Sequence, residues 1–233
     1  MERRVACGSC DTVWPMQLVF EQVPTGGDRN FGYLLGDRDA KAGVLIDPSY
    51  APEALVQRAK AQGLTITHVI NTHGHPDHTN GNEAACQLTG AKLAAFKGSA
   101  MVTPDVGLGD GDELAVGSLL LQCLHVPGHC GDHLTLYEPK WQVLFTGDLL
   151  FVGKVGGTGN DEDARTEWRS LQRVLHAVPD GATVWPGHDY GVRPSSTIAL
   201  ERATNPFLRC ADVEAFLALK RDWSKTKLQL GLK

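Results

Sequence analysis

Apolar positions along the chain recur at two periods. Short alternating or β-rich runs occupy residues 18–20, 31–35, 44–46, 66–70, 119–126, 134–137, 143–145 and 183–185, and each predicts a strand. Helical spacing covers residues 52–62 and 163–175, a short stretch after His78, and two later segments, 197–204 and 212–228. Pro52 suits a first helical turn and Gly63 suits the exit. Residues 97–112, rich in Gly and Asp, read as a long surface connection. In the last segment Val213, Phe216, Leu217 and Leu219 share one helical face, which predicts a helix packed on the core.

Strands come first, then a helix, more strands and finally helices, so the order is neither strict βαβ alternation nor all-β. Two sheets with helices outside them satisfy it, an α/β layered class. No repeat or linker interrupts the pattern. The 233 residues therefore read as one domain, 1–233, with a core over about 16–208 and a helical extension over 209–233.

Composition narrows the partners. Charged residues at 21% and hydrophobic residues at 42% are ordinary for a folded protein and exclude disorder. A net charge of -5 with scattered cations excludes nucleic acid as a partner. No window reaches the ~18 apolar residues of a membrane span. Residues 1–7 carry two arginines but lack the apolar stretch of a signal peptide, and six irregularly spaced cysteines read as reduced thiols, which together predict the cytoplasm. Cys7 and Cys10 form a lone C-x-x-C with no second pair nearby, so they read as two free thiols in a tail. Oligomer formation is left open.

The decisive stretch is Asn71-Thr72-His73-Gly74-His75-Pro76-Asp77-His78, which follows the apolar run 66–70 and precedes a helix start. H-x-H-x-D-H should arise by chance in about one of a thousand chains of this composition. A turn with Gly74 and Pro76 aims imidazoles at i and i+2 one way and the next carboxylate and imidazole another, so one loop feeds two neighbouring metals. Imidazole and carboxylate suit a catalytic metal, whereas closed structural zinc sites recruit more thiolate. Four ligands leave two ions underbound. Three further candidates share one context: His129 in Val126-Pro127-Gly128-His129, Asp148 in Phe145-Thr146-Gly147-Asp148, and His188 in Trp185-Pro186-Gly187-His188. Each reads strand, glycine, ligand, and the glycine removes a side chain where the backbone must turn tightly near the metals. His68, His125 and His176 lack that context and read as structural; His133, beside Asp132, is a candidate for supporting a ligand.

The order H-x-H-x-D-H, Pro-Gly-His, Thr-Gly-Asp, Pro-Gly-His resembles the metallo-β-lactamase superfamily over about residues 31–208. The resemblance implies an αββα sandwich with metals at the edge where the sheets meet. It implies that His73, His75 and His129 bind one ion, that Asp77, His78 and His188 bind a second, and that Asp148 bridges both. Within the superfamily, Thr146-Gly147-Asp148-Leu149-Leu150-Phe151-Val152 and His188-Asp189-Tyr190 look like the glyoxalase II (hydroxyacylglutathione hydrolase) and persulfide dioxygenase branches. Two features depart from those branches. About 45 residues follow His188, fewer than glyoxalase II uses to grip glutathione, and Gly157 stands where both branches carry arginine. Lys154, Tyr190 and Arg193 are the candidates left to receive a substrate.

The implied enzyme is a metal-dependent hydrolase. Two divalent ions, zinc by ligand type with iron and manganese also accepted, share a water, lower its pKa and present a bridging hydroxide to an acyl carbonyl. Asp77 and Asp148 carry the catalytic roles. The implied substrate is a small molecule, a thioester of glutathione or another thiol, because a thiolate leaves readily. The alternatives are a mononuclear iron persulfide dioxygenase, a hydrolase of lactones or phosphoesters, and a metal-stabilised binding module without catalysis.

Overall fold

The computed structural model describes residues 17–229. Cys7 and Cys10 lie outside the described residues. One six-stranded sheet runs in spatial order through β1 (Leu18–Gly26), β2 (Asn30–Asp37), β3 (Ala42–Ile46), β4 (Thr65–Ile70), β5 (Lys92–Phe96) and β6 (Val106–Leu108). Helices α1 (Pro52–Ala61), α2 (Pro76–Thr79) and α3 (Asn82–Thr89) connect its later strands. The second six-stranded sheet contains β7 (Glu113–Val116), β8 (Leu119–His125), β9 (Leu134–Glu138), β10 (Val143–Gly147), β13 (Thr183–Pro186) and β14 (Ser196–Thr197), ordered β14-β13-β10-β9-β8-β7. A two-stranded ribbon, β11 (Leu150–Phe151) with β12 (Lys154–Val155), leads into α4 (Asp161–Ala177); α5 (Ile198–Thr204) and α6 (Val213–Gln229) close the chain.

Three apolar layers hold the architecture. Between the sheets lie Phe20, Phe31, Tyr33, Leu35, Ile46, Ile70, Leu121, Leu134, Phe145 and Trp185, all buried. Leu45, Leu55, Val56, Ala59 and Val69 join the first sheet to α1, and Leu144, Leu171, Val174, Val184, Phe216 and Leu217 join the second sheet to α4 and α6. The result is an αββα sandwich. Each fully buried Leu, Val or Phe side chain contributes roughly 1.5–3 kcal/mol of hydrophobic stabilisation before entropy is charged against it.

All eight sequence-predicted strands are present. Pro52 sits in the first turn of α1, and Gly63 leaves that helix at φ 70°, in the left-handed region glycine tolerates. On α6, Phe216 and Leu217 are buried and Val213 and Leu219 are packed beside them, so this helix is docked. The α4 helix begins earlier than its apolar period does, because Asn160 caps it by accepting from the Glu162 and Asp163 amides. One reading is corrected. The supposed surface connection over 97–112 contains β6, which pairs in parallel with β5. A three-residue edge strand with Gly107 at its centre is too short to show a period. No helix among the described residues is long and apolar enough to cross a membrane.

Candidate metal centre

The predicted ligands arrive at one edge of the sandwich, from both sheets. His73 to His78 follow β4; His129 follows β8, Asp148 follows β10 and His188 follows β13. Hydrogen bonds between the sheets, and one between neighbouring loops of the second sheet, fix this edge. Tyr33 on β2 donates to the Pro186 carbonyl at 2.5 Å, the Phe31 amide donates to Gly187 at 2.8 Å, and the Gly187 amide donates to Gly147 at 2.8 Å. The Leu134 amide donates to Thr72 at 2.7 Å and so holds the His73 loop to the second sheet. Glycine is required before His129, Asp148 and His188 alike: a β-carbon on Gly147, at φ 48°, would lie 2.7 Å from Thr72 Oγ1. Gly128 stands at φ 140°, and a β-carbon on Gly187 would lie 2.3 Å from Asp148 Oδ1.

Two trios without a thiol result, His73, His129 and Asp148 in one and Asp77, His78 and His188 in the other, and a third group sets Cys130 beside His73 and His75. His75 joins the first through Nδ1, which is 3.0 Å from both His73 Nε2 and His129 Nε2. Asp148 lies between the trios, with Oδ2 3.6 Å from His129 Nε2 and 3.2 Å from His188 Nε2, and Oδ1 3.4 Å from His78 Nε2. The structure therefore gathers all seven predicted residues.

Whether such a cluster suits metal ions is decided by its free nitrogens. On four histidines the nitrogen away from the cluster is already engaged: His73 Nδ1 with Thr72 Oγ1 at 3.1 Å, His78 Nδ1 with Asp47 at 3.0 Å, His129 Nδ1 with the Gly157 carbonyl at 2.7 Å, and His188 Nδ1 with the Asp28 carbonyl at 2.9 Å. Carbonyl and carboxylate partners place a proton on Nδ1 of His78, His129 and His188, so that Nε2 is the nitrogen each turns toward the others and the one that ligates in the neutral ring. Converging lone pairs repel unless a cation lies among them. Ligands of a tetrahedral zinc with bonds of 2.0–2.1 Å sit about 3.3 Å apart, close to the spacings here. The donor set fits divalent ions.

A model of the metallo-beta-lactamase superfamily matches residues 25–188. The chain belongs to that superfamily. A hydroxyacylglutathione hydrolase of Polaromonas sp. is 38% identical over 178 residues, which is 74% of this chain and 67% of the relative. The mitochondrial persulfide dioxygenase ETHE1 of Homo sapiens is 32% identical over 76% of this chain and 71% of its own. The crystal structure of ETHE1 from Myxococcus xanthus superposes with a TM-score of 0.81 at 33% identity, covering 88% of this chain and 91% of that chain. The chain spans about two thirds of the length of the curated hydrolases it matches.

In this superfamily member, protonation favours ligation at part of the centre. Burial holds His73 and His129 below the usual imidazole range, so both are neutral. Burial opposes ionisation of Asp148, but His78 and His188 outweigh it and hold its carboxyl well below the usual range. Burial also disfavours a charged His78, and Asp148 and Asp47 overcome that, so a bound ion would displace a proton there. His133 is pushed down to about 3 by burial; its neutral Nε2 accepts the Asp148 amide at 3.0 Å, which is the supporting place its sequence context predicts.

The substrate candidates cluster beside the second trio. Lys154, Tyr190 and Arg193 line one cavity of about 480 Å³ with Arg29. Tyr190 stacks on His188 at 4.7 Å with rings 2° apart, and Lys154 Nζ lies 3.6 Å from the Tyr190 centroid. Four supporting groups escaped sequence reasoning: Asp47, Asn30, and the Asp28 and Gly157 carbonyls. Asp47 accepts from the Thr72 amide at 2.8 Å, from Thr72 Oγ1 at 2.6 Å and from His78; Asn30 donates to Asp77 Oδ2 at 2.9 Å. Asp47 follows a strand directly, as the ligand loops do, and that was its signal. His68 and His125 remain structural: His68 lies in β4, and His125 stacks on Phe96 at 4.1 Å.

Proposed function

We propose that this chain is a binuclear metallo-hydrolase of small acyl substrates, in the first place thioesters of an anionic thiol such as glutathione. The observation that carries the reading is the pair of complete donor trios with Asp148 between them. In this reading His73, His75 and His129 hold one ion, Asp77, His78 and His188 hold the other, and Asp148 serves both. Zinc is the favoured metal by ligand type, and iron and manganese suit the same donors. Bound there, the ions supply a water acidic enough to act as nucleophile near neutral pH and a Lewis acid for the carbonyl.

The chain's own residues do the rest. Asn30 and Ser49 hold Asp77 by its carboxylate and carbonyl, leaving a part-exposed carboxylate oxygen to take the proton of the attacking water. Water adds to the acyl carbon, the carbon–sulfur bond breaks, and the thiolate leaves with little need of protonation. Arg29, Lys154 and Arg193 supply positive charge to the cavity where a carboxylate on the thiol portion would rest. Four free cysteines among the described residues suit a reducing compartment such as the cytoplasm.

A second reading, persulfide oxidation at a single iron, is favoured by the close superposition on ETHE1 from Myxococcus xanthus. Metal content and anaerobic turnover separate the two. Purified protein with about two zinc ions per chain that cleaves a thioester under nitrogen supports hydrolysis. One iron per chain with oxygen uptake on glutathione persulfide, and no thioester cleavage, would sink it. Lactones and phosphodiesters complete the substrate panel.

A further inference from the structure

Helices α4 and α6 reach the metal centre through one buried ion pair. Lys220 on α6 donates to the Glu167 carboxylate on α4 and, at 2.9 Å, to the carbonyl of Gly156. The Glu167 side chain is wholly out of solvent and that of Lys220 is 12% exposed. Such a pair contributes little net stability, because desolvation offsets its Coulomb attraction. Its neighbours give it another use. Gly156 precedes Gly157, whose carbonyl accepts from His129 Nδ1. A β-carbon on Gly156 would lie 2.1 Å from the Asp148 carbonyl and 3.1 Å from both Glu167 Oε1 and His129 Nδ1. On the other side, a β-carbon on Gly128 would come within 2.4 Å of the Glu167 backbone. Ser170, also on α4, donates to the Pro127 carbonyl at 2.6 Å. Both chain segments that determine where His129 points therefore rest on Glu167 and its neighbours.

We propose that Lys220 and Glu167 are positioning residues for His129: by holding Gly156 they fix the Gly157 carbonyl that orients the ring, and so link docking of α6 to metal affinity. The proposal rests on the reading that two ions are bound. A ligand histidine is aimed by the partner of its second nitrogen, and losing such a partner costs about 10–100-fold in metal affinity. Without the Lys220 ammonium, Gly156 loses its donor and the acceptor for His129 can shift. Arg165 and Glu214, 2.6 Å apart, join the same two helices as a separate ion pair, which supplies a control for helix docking alone.

The test loads the full chain with zinc and measures stepwise affinity by competition with a chromophoric chelator, beside thermal melting. Lys220→Met should weaken one of two zinc ions by about 10–100-fold, Lys220→Arg should restore part of the loss, and Arg165→Ala should leave both affinities unchanged. Equal affinities in wild type and Lys220→Met overturn the proposal, as does an equal loss in Arg165→Ala. If Lys220→Met does not fold, the double variant Glu167→Gln/Lys220→Met, which leaves no buried charge, carries the same comparison. Wild-type protein that takes up no zinc overturns the metal reading itself, an outcome distinct from a wild type that binds two ions and a variant that binds them equally well.

Discussion

His78 Nδ1 lies 3.0 Å from Asp47 Oδ2, with both side chains almost wholly out of solvent. A carboxylate behind a ligand imidazole fixes its tautomer and makes its other nitrogen a better donor. On the proposed metal assignment, Asp47→Asn should therefore weaken binding of the ion at Asp77, His78 and His188 by about 10–100-fold, read by chelator competition. Unchanged affinity for both ions would remove Asp47 from the centre.

Asp148 belongs to the first trio and lies 3.4 Å from His78 Nε2 and 3.2 Å from His188 Nε2 in the second, so its loss should affect both. Asp148→Ala should lower kcat/KM on a thioester by about a thousandfold or more, with circular dichroism still reporting a folded protein. A variant that keeps its turnover would refute the bridging assignment.

Gly128 has no room for a side chain and a backbone that few other residues adopt. Gly128→Ala forces the loop away from Glu167 and carries His129 with it. The expected cost is about 1–3 kcal/mol of stability, seen in denaturant melts, together with weaker metal binding. A variant as stable as wild type would show that the loop relaxes freely.

Away from the metals, Asp37 joins the two sheets by accepting from the Asp39 and Ala40 amides at 2.9 and 3.1 Å and from the Ser118 amide at 2.7 Å. Burial opposes its ionisation, but these hydrogen bonds outweigh it, led by those from Ser118, and lower its pKa to about 2. A depressed carboxylate pKa stabilises the fold above its unfolded value near 3.8, and that contribution is lost as pH falls through about 2. Between those pH values wild type should lose about 1 kcal/mol after solvent screening, whereas Asp37→Asn, already weaker at pH 7, should not. Parallel acid melts of the two proteins would expose a wrong assignment as identical slopes.

The loops whose His and Asp residues the fold brings together were legible in the sequence because their signal is local. His73, His75, Asp77 and His78 lie within six positions, and His129, Asp148 and His188 each follow a strand and a glycine. Their supports were hidden because they depend on the fold: Asp47 matters only once β3 and β4 lie side by side, and the Gly157 carbonyl has no side chain to betray it. The same contrast holds among the strands. β2 announces itself with Phe31, Tyr33, Leu34 and Leu35, whereas β5 contains two alanines and β6 a central glycine. Those short strands exist because a neighbouring edge is there to pair with, β4 for β5 and then β5 for β6, not because of their own propensity.

Each donor trio draws on both sheets. His73 stands with His129 and Asp148 across the sandwich, and Asp77 and His78 stand with His188. Sliding one sheet against the other by an ångström would spoil both trios together, and the Phe20–Trp185 contact at 4.4 Å lies in the interface that resists such a slide. The paired ions would thus act as rivets through two plates. By mass action they favour only the fully assembled molecule, since an unfolded chain presents no more than the single loop from His73 to His78.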